Sequence, residues 1–249
     1  MGQVLFQNQK KIISEIVSKE GETQKLYADT WLQAFQMPLG YKLSIAISNH
    51  LYTSSINDSP SRYAISRLST LLAENRNTND SMKPQEFFQD LFSIIHGGLQ
   101  KRSIESGQEM NTSLILCAVT ENDELYCCNA GYCKALLYNH KHLYRLSESG
   151  QSSGDHEMHL PIGHTNPLDL SITPIEIEFT TYKLKKGDTV IILSPGIQEE
   201  KEMTTTIKTI LDQNKDPSVI CHRIIQAYQE NKSVDSEEIE TTVGCVRTI

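Results

Sequence analysis

The feature that most constrains this 249-residue chain is a change of hydrophobic period near Thr112. Before it, "SPSRYAISRLSTLLAEN" and "PQEFFQDLFSIIHGGLQKRSIES" carry apolar residues at helical spacing. After it, "TSLILCAVTENDELYCCNAGYCKALLYNHKHLYRLSES" breaks into four short apolar runs. Turn signals at Glu121-Asn122-Asp123, Ala130-Gly131 and Asn139-His140-Lys141 separate them. The pattern predicts two long helices followed by an antiparallel meander. "LSITPIEIEFTTYKL", the turn "KKGD" and "TVIILS" predict a further strand pair. Helices are expected at about 203–212 and 217–231, and "TTVGCVRT" as a last strand. Helices segregated from antiparallel strands indicate an α+β fold.

The helix ends are also legible. Ser59 is placed to cap the first helix, with Pro60 at its first position. In the second, Phe87, Phe88, Leu91, Ile94, Ile95 and Leu99 are expected to face inward. Its Gly97-Gly98 pair predicts a kink or a close approach. Upstream, "WLQAFQ" and "YKLSIAIS" read as strands joined by "MPLG". "QKKIISEIVSKEG" places Ile12, Ile13, Ile16 and Val17 at helical spacing, so residues 1–20 are expected to form a helical extension. No linker divides the chain, and one domain spanning 1–249 is expected.

Composition narrows the function classes. A net charge of −8 gives no electrostatic footprint for nucleic acid or an anionic membrane. No apolar run approaches the roughly 20 residues of a membrane span. "MGQVLFQNQKK" has too short an apolar core for a signal peptide, and Phe6 stands where a myristoylation motif wants Ser or Thr. A cytoplasmic location is expected. The six cysteines form no C-x-x-C, which predicts reduced, mostly buried thiols. His156 and His159 in "HEMH" lack a third ligand at metal-site spacing.

Four segments, in order, resemble the metal-dependent protein phosphatases of the protein phosphatase 2C or PPM family. "NTSLILCAVTENDELYCCNAGYCKALLY" is similar to the family's G-T-T and A-N-x-G-D-S-R frames. "LKKGDTVIILSPGIQE" is similar to its G-D-x-h-h-L-x-S-D-G frame, where h is hydrophobic. "ETTVGCVRTI" looks like its closing D-N-x-T-h-h-V-V-R, and "SPSRYAISRLSTLL" sits where its first long helix follows D-G-h-G-G. The resemblance runs from about residue 21 to residue 249. It implies two antiparallel sheets packed as a sandwich, with an antiparallel helix pair on each outer face. It also implies a two-metal Mg or Mn cluster that activates a bridging water.

The family's acidic positions are mostly replaced. Pro195 stands for the Asp of S-D-G, and Tyr132 for the Asp of G-D-S-R. Ser48 or Asn49 stands for the bridging Asp. Gln24 stands for the phosphate-binding Arg of the N-terminal frame and Ala28 for its Glu, while Asp29 matches. At the closing D-N stands Ile239-Glu240 or Glu240-Thr241. Clustered carboxylates without a cation repel one another, so their joint replacement is the signature of a site without metal.

The reading is therefore a pseudophosphatase with no catalytic, cofactor-binding or metal-binding residues and no cofactor. It would act as a protein-binding or regulatory module whose partner is a kinase, a phosphoprotein or another signalling component. Two alternatives remain. One is a weakly active or rearranged Mn/Mg-dependent serine/threonine phosphatase using Asp29, Glu240, Asp155, His156 or His159. The other pairs Ser48 or Ser194 with His50, without an elbow motif or an orienting acid. The expected contact element is the loop 150–169, which holds His156, Met158, His159 and Leu160, with Tyr132 beside it. His50, Tyr132, Lys25 and Lys134 are expected around the same cleft.

Overall fold

The computed structural model describes residues 6–8, 12–19, 29–35, 41–50, 59–74, 83–147, 160–166, 171–195, 197, 201–231 and 241–248. Eleven strands and four helices occur among them. A six-stranded sheet is built from β1 (Phe6–Asn8), β2 (Ile12–Lys19), β11 (Thr241–Thr248), β10 (Thr189–Leu193), β7 (Lys134–Asn139) and β8 (His142–Arg145), in that order. A five-stranded sheet is built from β3 (Asp29–Phe35), β4 (Tyr41–His50), β5 (Ser113–Thr120), β6 (Glu124–Ala130) and β9 (Glu178–Lys183). Every pairing is antiparallel.

Three apolar layers hold these sheets and helices together. Between the sheets lie Ile45, Ile47, Ile115, Cys117, Cys127, Leu137, Val190 and Ile192. On the outer face of the five-stranded sheet, Ala46, Leu114, Leu116 and Cys128 meet Leu68, Leu72, Phe88, Phe92 and Leu99 of α1 (Pro60–Glu74) and α2 (Pro84–Ser106). On the other outer face, Leu136, Ile191, Val243 and Cys245 meet Ile207, Leu211, Ile220 and Ile224 of α3 (Lys201–Gln213) and α4 (Pro217–Asn231). Strand alternation sends Cys127 and Ile192 inward and Cys128 and Ile191 outward. Because both faces of β10 are covered, all five of its residues are buried and read as a continuous apolar run.

The expected α+β sandwich with two outer helix pairs is thus the fold. Ser59 caps α1 by accepting the Arg62 amide at 3.1 Å, with Pro60 as the first helical residue. α2 runs unbroken past its glycine pair and ends at Gly107, in the left-handed conformation. All six cysteines are free thiols and buried. No helix among the described residues is long and apolar enough to cross a membrane.

Four expectations are corrected. Residues 12–19 form a strand, not a helix, and pair along their whole length with β11. Isoleucine and valine favour the pleated state, and the long partner strand overrides a short apolar periodicity. The meander is split: β5 and β6 lie in one sheet, β7 and β8 in the other, so Ala130-Gly131 crosses between sheets. β9 and β10 do not pair; β9 borders β6, while β10 lies between β7 and β11. On α2, Ile94 is exposed and Phe87 is only half-buried, because the helix packs through a narrower stripe than its sequence offers.

Candidate functional site

Strand register gathers the family positions at one rim of the sandwich. Asp29 begins β3 opposite His50, at the end of β4. Asn49 is opposite Ser113, at the start of β5. Gly131 and Tyr132 follow the end of β6, and Lys134 opens β7 opposite Leu193, at the end of β10. Ser194 and Pro195 come next, beside the start of β11. Asp29, Ser48, Asn49, Tyr132 and Pro195 therefore share a rim. Gln24, Ala28 and Glu240 lie outside the described residues, as do Lys25, Asp155, His156, Met158 and His159.

Beside this rim, where β4 and the start of β5 meet α1, is a set of hydroxyls. Thr112 Oγ1 lies 2.9 Å from Ser48 Oγ and 3.0 Å from Ser61 Oγ, and donates to the Ser113 carbonyl at 3.3 Å. A threonine hydroxyl has one hydrogen and two lone pairs. Either oxygen can be the donor in each serine contact, and with three neighbours the capacity of Thr112 is filled. Ser48 and Ser61 are fully buried, and Thr112 is 1% exposed. The Ser113 hydroxyl, in turn, accepts the Tyr132 amide at 3.0 Å.

Gly131 makes that last bond possible. Its φ is +93°, and a Cβ there would lie 2.7 Å from Ser113 Oγ and 3.1 Å from Ser113 Cα. The tight crossing leaves the Tyr132 side chain 38% exposed at the rim. Burial pushes the neighbouring Cys133 thiol far up, against the opposing charge of Lys134, so it stays protonated and unreactive.

The Pro195 turn is closed by a bond from the Ile197 amide to the Ser194 carbonyl, 3.1 Å. Proline's fixed φ suits the second position of such a turn. Ser194 is fully buried and binds back to β11: its amide donates to Thr242 O, and its Oγ accepts the Thr242 amide, both at 3.0 Å. Lys134 Nζ donates to Ile197 O at 3.0 Å, tying this turn to the Tyr132 crossing. Lys134, expected as an anion contact, is thus engaged with backbone. No three His, Cys, Asp or Glu side chains among the described residues converge as a metal-binding group.

Of the hydroxyl set, Ser48 was singled out in the sequence but Ser61 and Thr112 were not. Their signal is the Thr112-Ser113 pair opening β5 and Ser61 in the first turn of α1, three small hydroxyl residues where the family has its threonines and its first helix.

Comparison with known proteins fixes the family. The model of stage II sporulation protein E (SpoIIE), a PPM-type phosphatase, matches residues 59–240. The chain belongs to the SpoIIE family. Solved structures with the same fold include the S. agalactiae serine/threonine phosphatase, 16% identical with a TM-score of 0.73, over 96% of this chain and 100% of that one. RsbX in complex with magnesium is 11% identical with a TM-score of 0.61, over 100% of both chains. The catalytic domain of the serine/threonine phosphatase PstP, with two manganese ions, is 13% identical with a TM-score of 0.63, over 96% of this chain and 99% of that one. No functionally curated protein matches.

Proposed function

We propose that this SpoIIE-family domain is a cytoplasmic pseudophosphatase that acts as a protein-binding or regulatory module. One observation carries the reading: where the family places metal-binding carboxylates, this chain has Ser48 or Asn49 at the end of β4 and a proline at the β10 turn. Magnesium and manganese are held by oxygen ligands rich in carboxylate. Ser48 and Asn49 are uncharged, Pro195 has no side-chain oxygen, Tyr132 offers a phenol, and Asp29 is the matching carboxylate at the rim. This donor set does not fit a two-metal cluster, and no catalytic step is derived through one.

The regulatory part of the reading draws support from relatives. PppA, 14% identical with a TM-score of 0.66, is described as a key regulatory component of a secretion system. For this chain the proposed partner is a protein, a kinase or phosphoprotein among the candidates. The contact element proposed for it is the segment 150–169 together with Tyr132, whose side chain is exposed.

The test is manganese titration calorimetry on the purified protein, with aryl phosphate hydrolysis measured in parallel. The wild type and Pro195→Asp should both give no binding heat and no turnover above a metal-free blank, because the ligands of such a site act as a unit. Manganese-dependent turnover by the wild type would overturn the proposal in favour of a rearranged phosphatase.

A further inference from the structure

His96 lies on α2, away from the rim, and is 5% exposed. Its Nδ1 accepts the Gly163 amide at 2.8 Å, and its Nε2 lies 2.8 Å from the Thr173 carbonyl. An amide N–H can only donate and a carbonyl can only accept. The ring is therefore the neutral tautomer with its hydrogen on Nε2.

Around it, Gln100 Nε2 donates to the carbonyls of His164 and Thr173, at 2.8 and 2.9 Å, and Thr173 Oγ1 donates to His164 O at 2.7 Å. Gly163 lies so close to α2 that a Cβ would sit 2.5 Å from Leu99 Cβ and 2.5 Å from Met110 O, and its φ is +84°. One residue earlier, the Ile162 carbonyl accepts the Thr112 amide at 2.9 Å. Residues 160–166 thus join α2 to Thr112, which links Ser48 and Ser61.

We propose that His96 is a pH-sensitive clasp that holds residues 160–166 between α2 and Thr112, and that protonation of its imidazole opens it. Protonation adds a hydrogen at Nδ1, turning an acceptor into a donor that faces the Gly163 N–H across 2.8 Å. The bond is lost and two donors oppose each other in a buried site. The ionisable group facing His96 from the loop is His164, whose Nδ1 lies 3.0 Å from Glu109 Oε1; from α2 itself the polar neighbour is neutral Gln100. Burial, and secondarily His164, lower the His96 pKa below the ordinary 6.5, outweighing the opposing effect of the Thr173 bond. The sign follows: the clasp is complete above pH 6.5 and is lost as pH falls through the lowered native value.

Amide hydrogen exchange tests this. The Gly163 protection factor should fall about tenfold or more between about pH 7.5 and about pH 5 in the wild type. In His96→Gln, which can still donate and accept but does not titrate, the fall should vanish. In His164→Gln it should remain. A pH-independent wild type, a fall that persists in His96→Gln, or one abolished by His164→Gln would each overturn the proposal. Should His96→Gln fail to fold, imidazole nitrogen NMR of the wild type decides: an unprotonated Nδ1 at neutral pH supports the clasp, and a protonated one refutes it.

Discussion

Thr112→Val removes one oxygen from the hydroxyl set and little else. Valine has nearly the shape of threonine, so no cavity opens and β5 keeps a β-branched residue beside its start. What changes is the partnering of Ser48 and Ser61, both fully buried and both hydrogen-bonded to Thr112 Oγ1. A buried polar group left without its partner costs about 1–3 kcal/mol. Two such groups set an upper range of about 2–6 kcal/mol, and rotation of a serine hydroxyl toward another acceptor trims it to roughly 2–4 kcal/mol. Urea unfolding at neutral pH, followed by far-ultraviolet circular dichroism, measures the loss as a lower midpoint at unchanged slope. Thr112→Ser should lose less, because the hydroxyl stays. Adding Ser48→Ala to Thr112→Val should cost less than the sum of the single changes, since one stranded hydroxyl goes with it. A loss below about 0.5 kcal/mol for Thr112→Val would show that these hydroxyl contacts do not stabilise the fold.

Placing a carboxylate among the buried hydroxyls with Ser48→Asp should destabilise the fold at neutral pH. Burial raises such a carboxyl's pKa, so the lost stability should return as pH falls, and added manganese should not restore it; recovery with manganese in unfolding experiments would contradict the metal-free reading. Thiol titration should find no reactive cysteine in the native protein and six once it is unfolded, because all six are buried; Cys127 is held protonated first by its 3.5 Å contact with Cys117 and then by burial, and a fast-reacting thiol in the native state would refute the packing.

Local signals carried much of the architecture. Ser59-Pro60, the helical stripes of α1 and α2, the alternation at Cys127 and Cys128, and the order of family-like frames fixed element types, helix pairs and fold from nearest-neighbour chemistry. The strand corrections have one cause. β2 is a strand because β11 pairs with it from more than 220 residues away. Likewise, the apparent hairpins at Ala130-Gly131 and Lys185–Asp188 connect different sheets, because each sheet's inner face must cover the other's. The site divides in the same way. The replaced carboxylates could be read position by position, since a frame fixes which residue stands where. The hydroxyl set of Ser48, Ser61 and Thr112 and the His96 clasp could not. Their partners are 51 to 77 residues apart, and only the packed fold brings a serine, a histidine and a loop amide within hydrogen-bond reach.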